Sequence, residues 1–552
     1  MVSSLFFIIT TILTTNLLAV EEQSNVIYTN GEIWIGVPGQ PLASTLVIRG
    51  ERIVAVGGEE LVKEYDSTST RVIDLEGAFI VPGFIDNHTH FMSGGFQLAD
   101  VNLSLADNQQ QFASAIHSFA EKQPSGRWIT GGRWDHERWG GELPRKEWIN
   151  KAAGQHPVFV SRLDGHMGLA NSLALDLAGI TATTPDPKGG TIVRDILNGE
   201  PTGILKDEAM NLMFSIIPEP TEEERDQAFE RAINHVLSLG ITQVQDMCTW
   251  EDYQTYIRAA ERNKLKIRIH AFVYYTQWEE MLKHIQNYGR GNDWLSILGA
   301  KVMVDGSLGS STAWFYEPYL DEPSTSGLMV TDTAIVKRLM YDVEESGLQL
   351  AVHAIGDRAN DWVLDAFTDL ERKYGKRDRR FRIEHAQHLT SSAIGRFATL
   401  GVIPSMQPPH LIDDGRWAEK RIGPEVLAGT YAFRSLLDAG ARLTFGSDWT
   451  VAPIAPLNGI YAAVTRRTLD NKHPDGWLPE QKISIQEALQ CYTVNNAWGV
   501  FSEDGLGTLE AGKYADFVVL SENLLEIDPI FLQEVKILRT VVGGREQYTF
   551  SE

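Results

Sequence analysis

The sequence predicts an α/β fold: a TIM (β/α)8 barrel with an inserted subdomain after strand 1 and a small β-sandwich built from both termini. The first observation is that short apolar runs alternate with amphipathic helical stretches through the middle of the chain, as in βα units. The second is their number, because eight candidate strands are present and eight parallel strands close a barrel. The candidate strands are FIVPGFIDNH, GITQVQDM, IRIHAFVYY, LGAKVMVDG, LQLAVHAIG, RFRIEHAQH, GVIPSMQPP and ARLTFGSDW.

The third observation is that both ends of the chain are rich in β-strand patterns. VIYTNGEIWIG, STLVIRGERIVAVGG and TRVIDLEGAFIVPG come before the barrel, and GTLEAGKYADFVVLSE and ILRTVVGGRE follow it. Asn-Gly, Arg-Gly and Glu-Gly pairs between these runs indicate turns. We therefore expect residues 21–80 and 500–552 to form one small β-sandwich domain, and residues 81–499 to form the barrel.

The connection after the first candidate strand is too long for a simple loop. About 130 residues, rich in Trp, Gly and Asp, separate His90 from a helix that starts near Thr221. Because structureless loops of that length are uncommon in compact domains, we predict an inserted subdomain over residues 95–218. It leaves the barrel on the face where catalytic residues lie, so it is placed to act as a lid.

The first twenty residues differ from the rest of the chain. Leu5–Val20 is apolar and uncharged and is followed by two glutamates, which is the pattern of a secretory signal peptide. The absence of Lys and Arg before it leaves a retained N-terminal anchor as the alternative. Residues 1–20 therefore predict a secreted, secretory-pathway or periplasmic protein, which would contact a membrane only if this segment is retained.

Composition narrows the classes of partner. The 49 basic and 73 acidic side chains give a formal charge of -24, which repels phosphate backbones and argues against nucleic acid as a partner. Only Cys248 and Cys491 are present, so no disulfide framework is expected. Asn102 lies in an N-L-S glycosylation motif, and Asn87 lies in an N-H-T motif that we expect to be too buried for modification. The sequence leaves monomer and homodimer open.

Candidate metal ligands lie at the ends of several predicted strands. His88 and His90 are two residues apart, so both imidazoles project from the same side of an extended strand. His353, His385 and Asp448 each follow an apolar run, at the carboxyl end where TIM barrels hold their active residues. Imidazole and carboxylate ligands suit a divalent ion such as zinc, although each residue alone is more often a structural polar group.

With these residues in place, the sequence resembles the amidohydrolase superfamily. More narrowly, it resembles the amidohydrolase family 3 branch that includes N-substituted formamide deformylase and YtcJ-like proteins. The resemblance runs from about residue 25 to the C-terminus and is specific for fold and metal chemistry rather than for substrate. The phrases that carry it are VPGFIDNHTH, SRLDGHMGLANSLAL, PTGILKDEAM, KVMVDGSLGSSTAWFYEPY, VHAIGDRAND, IEHAQHL, FGSDWTVAP and GTLEAGKYADFVVL.

The resemblance implies a binuclear centre. His88, His90, His353, His385 and Asp448 would ligate two Zn²⁺ ions per chain, and Lys301 would bridge them after its amine takes up carbon dioxide to form a carbamate. Two alternatives remain for this region of the sequence. Lys301 could be a buried lysine paired with Asp305. Cys248, at the end of the second strand, is a rival ligand, although a small buried apolar role suits it better.

The resemblance also implies a reaction and substrate contacts. A metal-activated hydroxide would cleave a non-peptide amide-type bond of a small molecule, such as an N-substituted formamide or an N-acyl amine, with Asp448 as general base and then acid. Substrate-binding candidates are His166, Asp164 and Trp134 of the insertion and Gln407 after strand 7. The competing interpretation is that the insertion residues order their own loops.

Two other functions remain open from the sequence. The same scaffold carries out deamination, commonly with one metal ion, and Lys301 argues weakly against that option. A catalytically inactive secreted binding protein that kept the barrel is the third possibility. Metal content separates the three, because two ions, one ion and none are the respective expectations.

Overall fold

The computed structural model describes residues 24–162, 167–187 and 190–551, and its centre is an eight-stranded parallel barrel. Each strand pairs in parallel with the next along the chain, and long helices cover the outside. This confirms the predicted (β/α)8 fold. The barrel strands are β1 (Phe84–Thr89), β2 (Ile241–Cys248), β3 (Arg268–Tyr274), β4 (Leu295–Met303), β5 (Gln349–Ala354), β6 (Arg382–His385), β7 (Ile403–Met406) and β8 (Thr444–Phe445).

The barrel closes between its first and last strands. Thr89 and Trp449 form a parallel bridge, and the backbone N–H of Asp448 donates to the carbonyl of His88 at 2.8 Å. Gly446 is needed at this seam, since a Cβ there would lie 2.4 Å from Oδ1 of Asn87. The close approach brings Asp448 next to the histidines of β1.

The helices around the barrel form where the sequence has amphipathic periodicity and caps. Thr221 and Glu224 form a capping box at the start of Glu222–Ser238, which buries Phe229 and Ile233 against the barrel. The other helices that pack around the barrel are Trp250–Glu261, Trp278–Tyr288, Thr333–Ser346, Asp357–Tyr374, Ser391–Leu400, Phe433–Asp438, Pro456–Thr465, Ile485–Tyr492 and Val494–Gly499. Shorter helices at Phe91–Gln97, Pro408–Asp414 and Pro424–Leu427 follow strand ends or loops.

Both ends of the chain build two small sheets that share a core. One sheet contains Asn25–Thr29, Thr45–Arg49, Arg52–Gly57 and Arg71–Asp74, and the other contains Glu32–Ile33, Phe79–Pro82, Phe517–Leu520, Ile537–Val542 and Arg545–Thr549. Tyr28 and Phe517 meet edge to face between them, with ring centroids 5.0 Å apart. The first candidate strand, FIVPGFIDNH, is therefore two strands in different sheets, separated at Gly83.

A separate sheet occupies the connection between β1 and β2. It is flanked by Gln109–Ala120, Lys146–Ala153 and Ser172–Leu177, and apolar clusters around Phe112 and around Leu205 cover it. A segment of this size with its own buried clusters explains why the connection is so long. Its strands are Val101–Asn102, Gly131–Trp134, Phe159–Arg162, Met167–Ala170, Gly190–Arg194 and Pro201–Asp207.

Several other predictions from the sequence can be compared with the structure. The predicted signal segment, residues 1–20, lies outside the described residues. Across the described ranges, the helices are too short or too polar to cross a bilayer. Cys248 and Cys491 are both buried and free. Asn87 is fully buried, as expected, whereas Asn102 is exposed on its strand.

Candidate metal centre

Polar side chains converge at the rim formed by the carboxyl ends of the barrel strands. Because all eight strands run parallel, residues that end different strands meet at the same rim. The structure brings together all six ligands that were expected from the sequence and from the resemblance. They are His88 and His90 on β1, Lys301 on β4, His353 on β5, His385 on β6 and Asp448 after β8.

The first part of the cluster is built around His88 and His90. These two histidines and Asp448 each offer one ligand atom, and the three atoms lie within 4.8 Å of one another. Nε2 of His90 is 3.0 Å and Nε2 of His88 is 3.5 Å from Oδ1 of Asp448. Nζ of Lys301 lies 3.3 Å from Nε2 of His88. These atoms therefore lie close enough together to bind one ion.

The second part of the cluster shares Asp448. His385, His410 and Asp448 form another group of ligand atoms within 4.8 Å of one another. The ring of His353 lies beside that of His385, with centroids 4.4 Å apart, and His385 is in turn 5.0 Å from His88. Asp448 therefore stands between two sets of imidazoles.

Left-handed backbone conformations make this convergence possible. His385, Ala386 and Asp448 have φ of 74°, 44° and 58°, values that non-glycine residues adopt rarely and at a cost of about 1–3 kcal/mol. Successive side chains of a regular strand point to opposite sides, so Glu384 and His385 would normally diverge. The turn at His385 lets both neighbours serve the same centre.

Each predicted ligand histidine is oriented by a bond from its second ring nitrogen. Such partners fix the tautomer and leave the opposite nitrogen with its lone pair toward the centre. Each ring has a carbonyl, carboxylate or amide oxygen as a partner, and Nδ1 of His90 also lies 3.3 Å from the hydroxyl of Tyr274. The pairs are His88 Nδ1 with Glu384 Oε2 at 2.5 Å, His90 Nδ1 with the Met247 carbonyl at 3.2 Å, His353 Nε2 with the Gly306 carbonyl at 3.0 Å, and His385 Nδ1 with Gln407 Oε1 at 2.8 Å.

Glu384 belongs to a buried polar network below the rim. It forms an ion pair with Arg382 of the same strand, and Oε2 also accepts a hydrogen bond from Ser405 at 2.6 Å. Arg382 donates in addition to Gln245 and to the carbonyl of Asn87. Because these groups are buried, the network holds its charges only by pairing them.

The electrostatics of the centre suit a cation. Burial and the nearby Lys301 lower the pKa of His88 to about 4 and that of His353 to about 3, so both imidazoles are neutral at pH 7. Burial lowers the pKa of Lys301 to about 8. Burial raises the pKa of Asp448, but His88 and His90 bring it well below its ordinary value. Burial lowers and Asp448 raises the pKa of His90, which ends above its usual range.

The residues present fit a divalent metal ion. Oδ1 of Asp448 is buried and has no hydrogen-bond partner among the described residues, although Nε2 of His90 lies only 3.0 Å away. Two donor atoms this close, on side chains that follow different strands, fit two ligands of one ion. Neutral imidazole nitrogens and an anionic carboxylate are the donor set that zinc prefers.

Two of the residues predicted to bind the substrate are fully buried. Trp134 is completely buried in the core of the inserted sheet, and its indole N–H donates to the carbonyl of Val160 at 2.8 Å. Gln407 is also fully buried, and its amide joins His385 to the Ser405 carbonyl. Neither side chain has exposed surface, so their burial does not support these two contacts, which stay predictions. His166 and Asp164 lie outside the described residues.

The alternatives for Lys301 and Cys248 find no support among the described residues. The carboxylate of Asp305 accepts hydrogen bonds from the backbone N–H groups of Trp314, Ile355 and Gly356. Among the described residues, it forms no ion pair with Lys301. Cys248 is buried, burial raises the pKa of its thiol well above its ordinary value, and it belongs to neither ligand group. It packs as a small apolar side chain in the barrel core.

Sequence reasoning missed two residues of the centre. His410 lies in the first turn of the helix Pro408–Asp414, three residues after Gln407, so a search confined to strand ends passes over it. Glu384 directly precedes His385, and its contact with His88 spans 296 positions of sequence. The QPPH phrase after a barrel strand was the available signal for His410.

Comparisons with known proteins agree with this geometry. Residues 71–548 match the protein-family model described as "Amidohydrolase family". The protein LONG AFTER FAR-RED 3 of Arabidopsis thaliana is 40% identical over 540 residues, which cover 95% of this chain and 92% of that protein. The N-substituted formamide deformylase of Arthrobacter pascens is 30% identical over 529 residues, 92% of this chain and 95% of that enzyme. A crystal structure of an uncharacterized metal-dependent hydrolase from Pyrococcus furiosus aligns with a TM-score of 0.76 and 29% identity, over 91% of this chain and 100% of that one.

Proposed function

Since the chain belongs to the amidohydrolase family and is a metal-dependent hydrolase of that family, we propose that it cleaves a non-peptide carbon–nitrogen bond of the amide type. The substrate class is N-substituted formamides or N-acyl amines. The observation that carries the proposal is the position of Asp448, whose carboxylate lies between two groups of imidazoles at the rim. The similarity to a formamide deformylase over nearly the whole chain supports the substrate class.

The proposed cofactor is a pair of divalent cations, with zinc as the preferred ion. His88 and His90 would hold one cation and His353 and His385 the other, and Asp448 would bind at the first. Lys301, as a carbamate, would bridge them, and its position 3.3 Å from His88 supports this role. Bound there, the cations supply a water activated at neutral pH and polarise the substrate carbonyl.

Asp448 performs the proton transfers of the proposed reaction. The oxygen of water adds to the carbonyl carbon while Asp448 accepts one of its protons. The carbon–nitrogen bond then breaks, and Asp448 delivers that proton to the departing nitrogen, which leaves as an amine. The remaining product is the carboxylic acid, or formate from a formamide. A carboxylate that is ionised before the reaction suits a base that later becomes the acid.

The insertion and the N-terminal segment take secondary roles in the proposal. The sheet between β1 and β2 would cover the rim, with His166 and Asp164 as the substrate-binding residues that remain from the sequence prediction. Residues 1–20 would direct the chain to the secretory pathway or periplasm, or anchor it to a membrane if retained. Sequencing the N-terminus of the purified mature protein tests cleavage of this segment.

A substrate panel tests the proposed function. Zinc-reconstituted protein is incubated with N-(2-phenylethyl)formamide, N-butylformamide and N-acetyl-2-phenylethylamine, and the free amine is measured. We expect amine release from at least one of these compounds by the wild type and almost none by Asp448→Asn. Release of ammonia from an aminated heterocycle, with no amine from the panel, would contradict the proposal and favour deamination.

A further inference from the structure

His410 is the one histidine of the two ligand groups that was not expected from the sequence. It does not end a strand but lies in the first turn of Pro408–Asp414, directly after β7. Its ring is stacked on that of His385 with an interplanar angle of 14° and centroids 6.2 Å apart. This places a fifth imidazole at the centre, beside Asp448.

The Nε2 atom of His410 faces the centre without a well-formed hydrogen bond to the described residues. It is buried and makes no hydrogen bond of acceptable geometry to any described residue, although the backbone carbonyl of Ser447 lies near the ring. Its nearest anionic atom is Oδ2 of Asp448, at 3.9 Å, which is beyond hydrogen-bond range. A buried polar atom left unpaired costs about 1–3 kcal/mol, so an atom from outside the protein is expected to pair with it.

The second ring nitrogen distinguishes His410 from the ligand histidines. In those four rings the second nitrogen bonds an acceptor, which leaves a lone pair facing the centre. In His410, Nδ1 lies 3.4 Å from Nε2 of Gln387, an amide N–H that can only donate. With the Gln387 amide N–H donating to it, Nδ1 would carry the lone pair, and the ring proton would lie on Nε2. His410 presents a donor to the site where the other rings present lone pairs.

We propose that His410 is a catalytic residue that donates its Nε2–H hydrogen bond to the carbonyl oxygen of the substrate, and that it is not a metal ligand. This inference rests on the proposed function, because an amide supplies the acceptor oxygen. The two oxygens of Asp448 contact different histidines. Oδ1 faces His88 and His90, whereas Oδ2 faces His410. A fixed donor at this position stabilises the oxygen as negative charge develops on it.

Matched His→Phe substitutions separate a donor from a ligand. His410→Phe and His385→Phe each replace one imidazole of the stacked pair by a phenyl ring, which has no ring nitrogen. After zinc reconstitution, metal analysis should show wild-type zinc content in His410→Phe and a loss of zinc in His385→Phe. With the formamide panel, kcat of His410→Phe should fall about 10²- to 10³-fold with little change in KM, as for loss of one oxyanion donor. A loss of zinc from His410→Phe equal to that of His385→Phe, or an unchanged kcat, would overturn the proposal.

A conservative variant and a direct readout of the tautomer complete the test. The side-chain amide of His410→Gln can replace Nε2–H, so its kcat should lie between those of the wild type and His410→Phe. In metal-free protein labelled with ¹⁵N-histidine, the NMR signal of His410 is the one present in the wild type and missing from His410→Gln. Its nitrogen shifts should show a proton on Nε2, and a proton on Nδ1 would contradict the inference. Absence of any amidase activity in the wild type would reject the proposed function, whereas an active wild type matched by His410→Phe would reject only the role of His410.

Discussion

The imidazole of His88 donates a hydrogen bond from Nδ1 to Oε2 of Glu384, at 2.5 Å, with both side chains fully buried. The contact fixes the ring so that Nε2 faces Lys301 and Asp448. Glu384 is held in turn by Arg382, so the orientation of a rim histidine depends on an ion pair inside the barrel. The cluster of rim side chains is therefore held in place by buried groups inside the barrel.

Glu384→Gln is expected to weaken metal binding. The amide keeps the shape of the side chain but removes the charge that orients His88 and compensates Arg382, so zinc affinity should fall about 10- to 100-fold. Competition with a chromogenic chelator measures it. Glu344→Gln is the matched control, because Glu344 is also buried and paired with Arg379, but on the outer helix Thr333–Ser346. Equal zinc affinity in Glu384→Gln and wild type would contradict the role of Glu384.

Asp448→Asn is expected to retain bound metal but lose turnover. Asparagine can still ligate through its oxygen, but it cannot accept the proton of water, and a general acid–base contributes about 10²- to 10⁴-fold to the rate. We expect kcat to fall by that factor, measured as amine release from the formamide panel. Asp357→Asn serves as control, because Asp357 also follows a barrel strand but accepts a backbone N–H from Tyr316. Full activity in Asp448→Asn would refute the assignment.

Metal affinity is expected to rise with pH between 6 and 8. His90 has a pKa above its ordinary value, and Lys301 has a pKa of about 8, so both carry protons that a cation or a carbamate must displace. Protonation at lower pH competes with the metal, whereas His88 and His353 are already neutral. Zinc affinity measured at pH 6, 7 and 8 in bicarbonate-containing buffer should increase stepwise. A flat profile would show that neither group titrates on binding.

Asp516→Asn is expected to destabilise the fold without changing the centre. Asp516 forms a buried ion pair with Arg268 of β3, at 2.7 Å, and so ties the barrel to the terminal sheets. Removal of one partner leaves a buried charge uncompensated, which costs about 3–5 kcal/mol. Urea denaturation should show a lower midpoint, with unchanged zinc content. Glu230→Gln, which breaks the exposed pair with Lys264, should leave the midpoint nearly unchanged. Equal midpoints for the two variants would contradict this account.

Much of the fold and the centre could be predicted because both depend on local sequence patterns. Strand-end positions of His353, His385 and Asp448 are visible in the sequence, and parallel strands bring their ends to one rim. The barrel prediction failed locally at Gly83, because one apolar run supplies strands to two different sheets. Periodicity cannot distinguish one long buried strand from two short ones.

The parts that could not be predicted depend on contacts between distant positions. The resemblance made Trp134 a candidate substrate contact, but the residue packs in the core of its own subdomain. Gln407 is fully buried, and its Oε1 pairs with Nδ1 of His385. The pairing of Glu384 with His88 joins two strands, and no pattern in either strand specifies it.

Anomalous diffraction from crystals of zinc-reconstituted protein tests the central claim most directly. The account predicts two zinc peaks about 3.5–4 Å apart, one bound by His88 and His90 and the other by His353 and His385, with density for a carbamate on Lys301 between them. Absence of anomalous density among these side chains, under conditions that load zinc elsewhere on the protein, would contradict it.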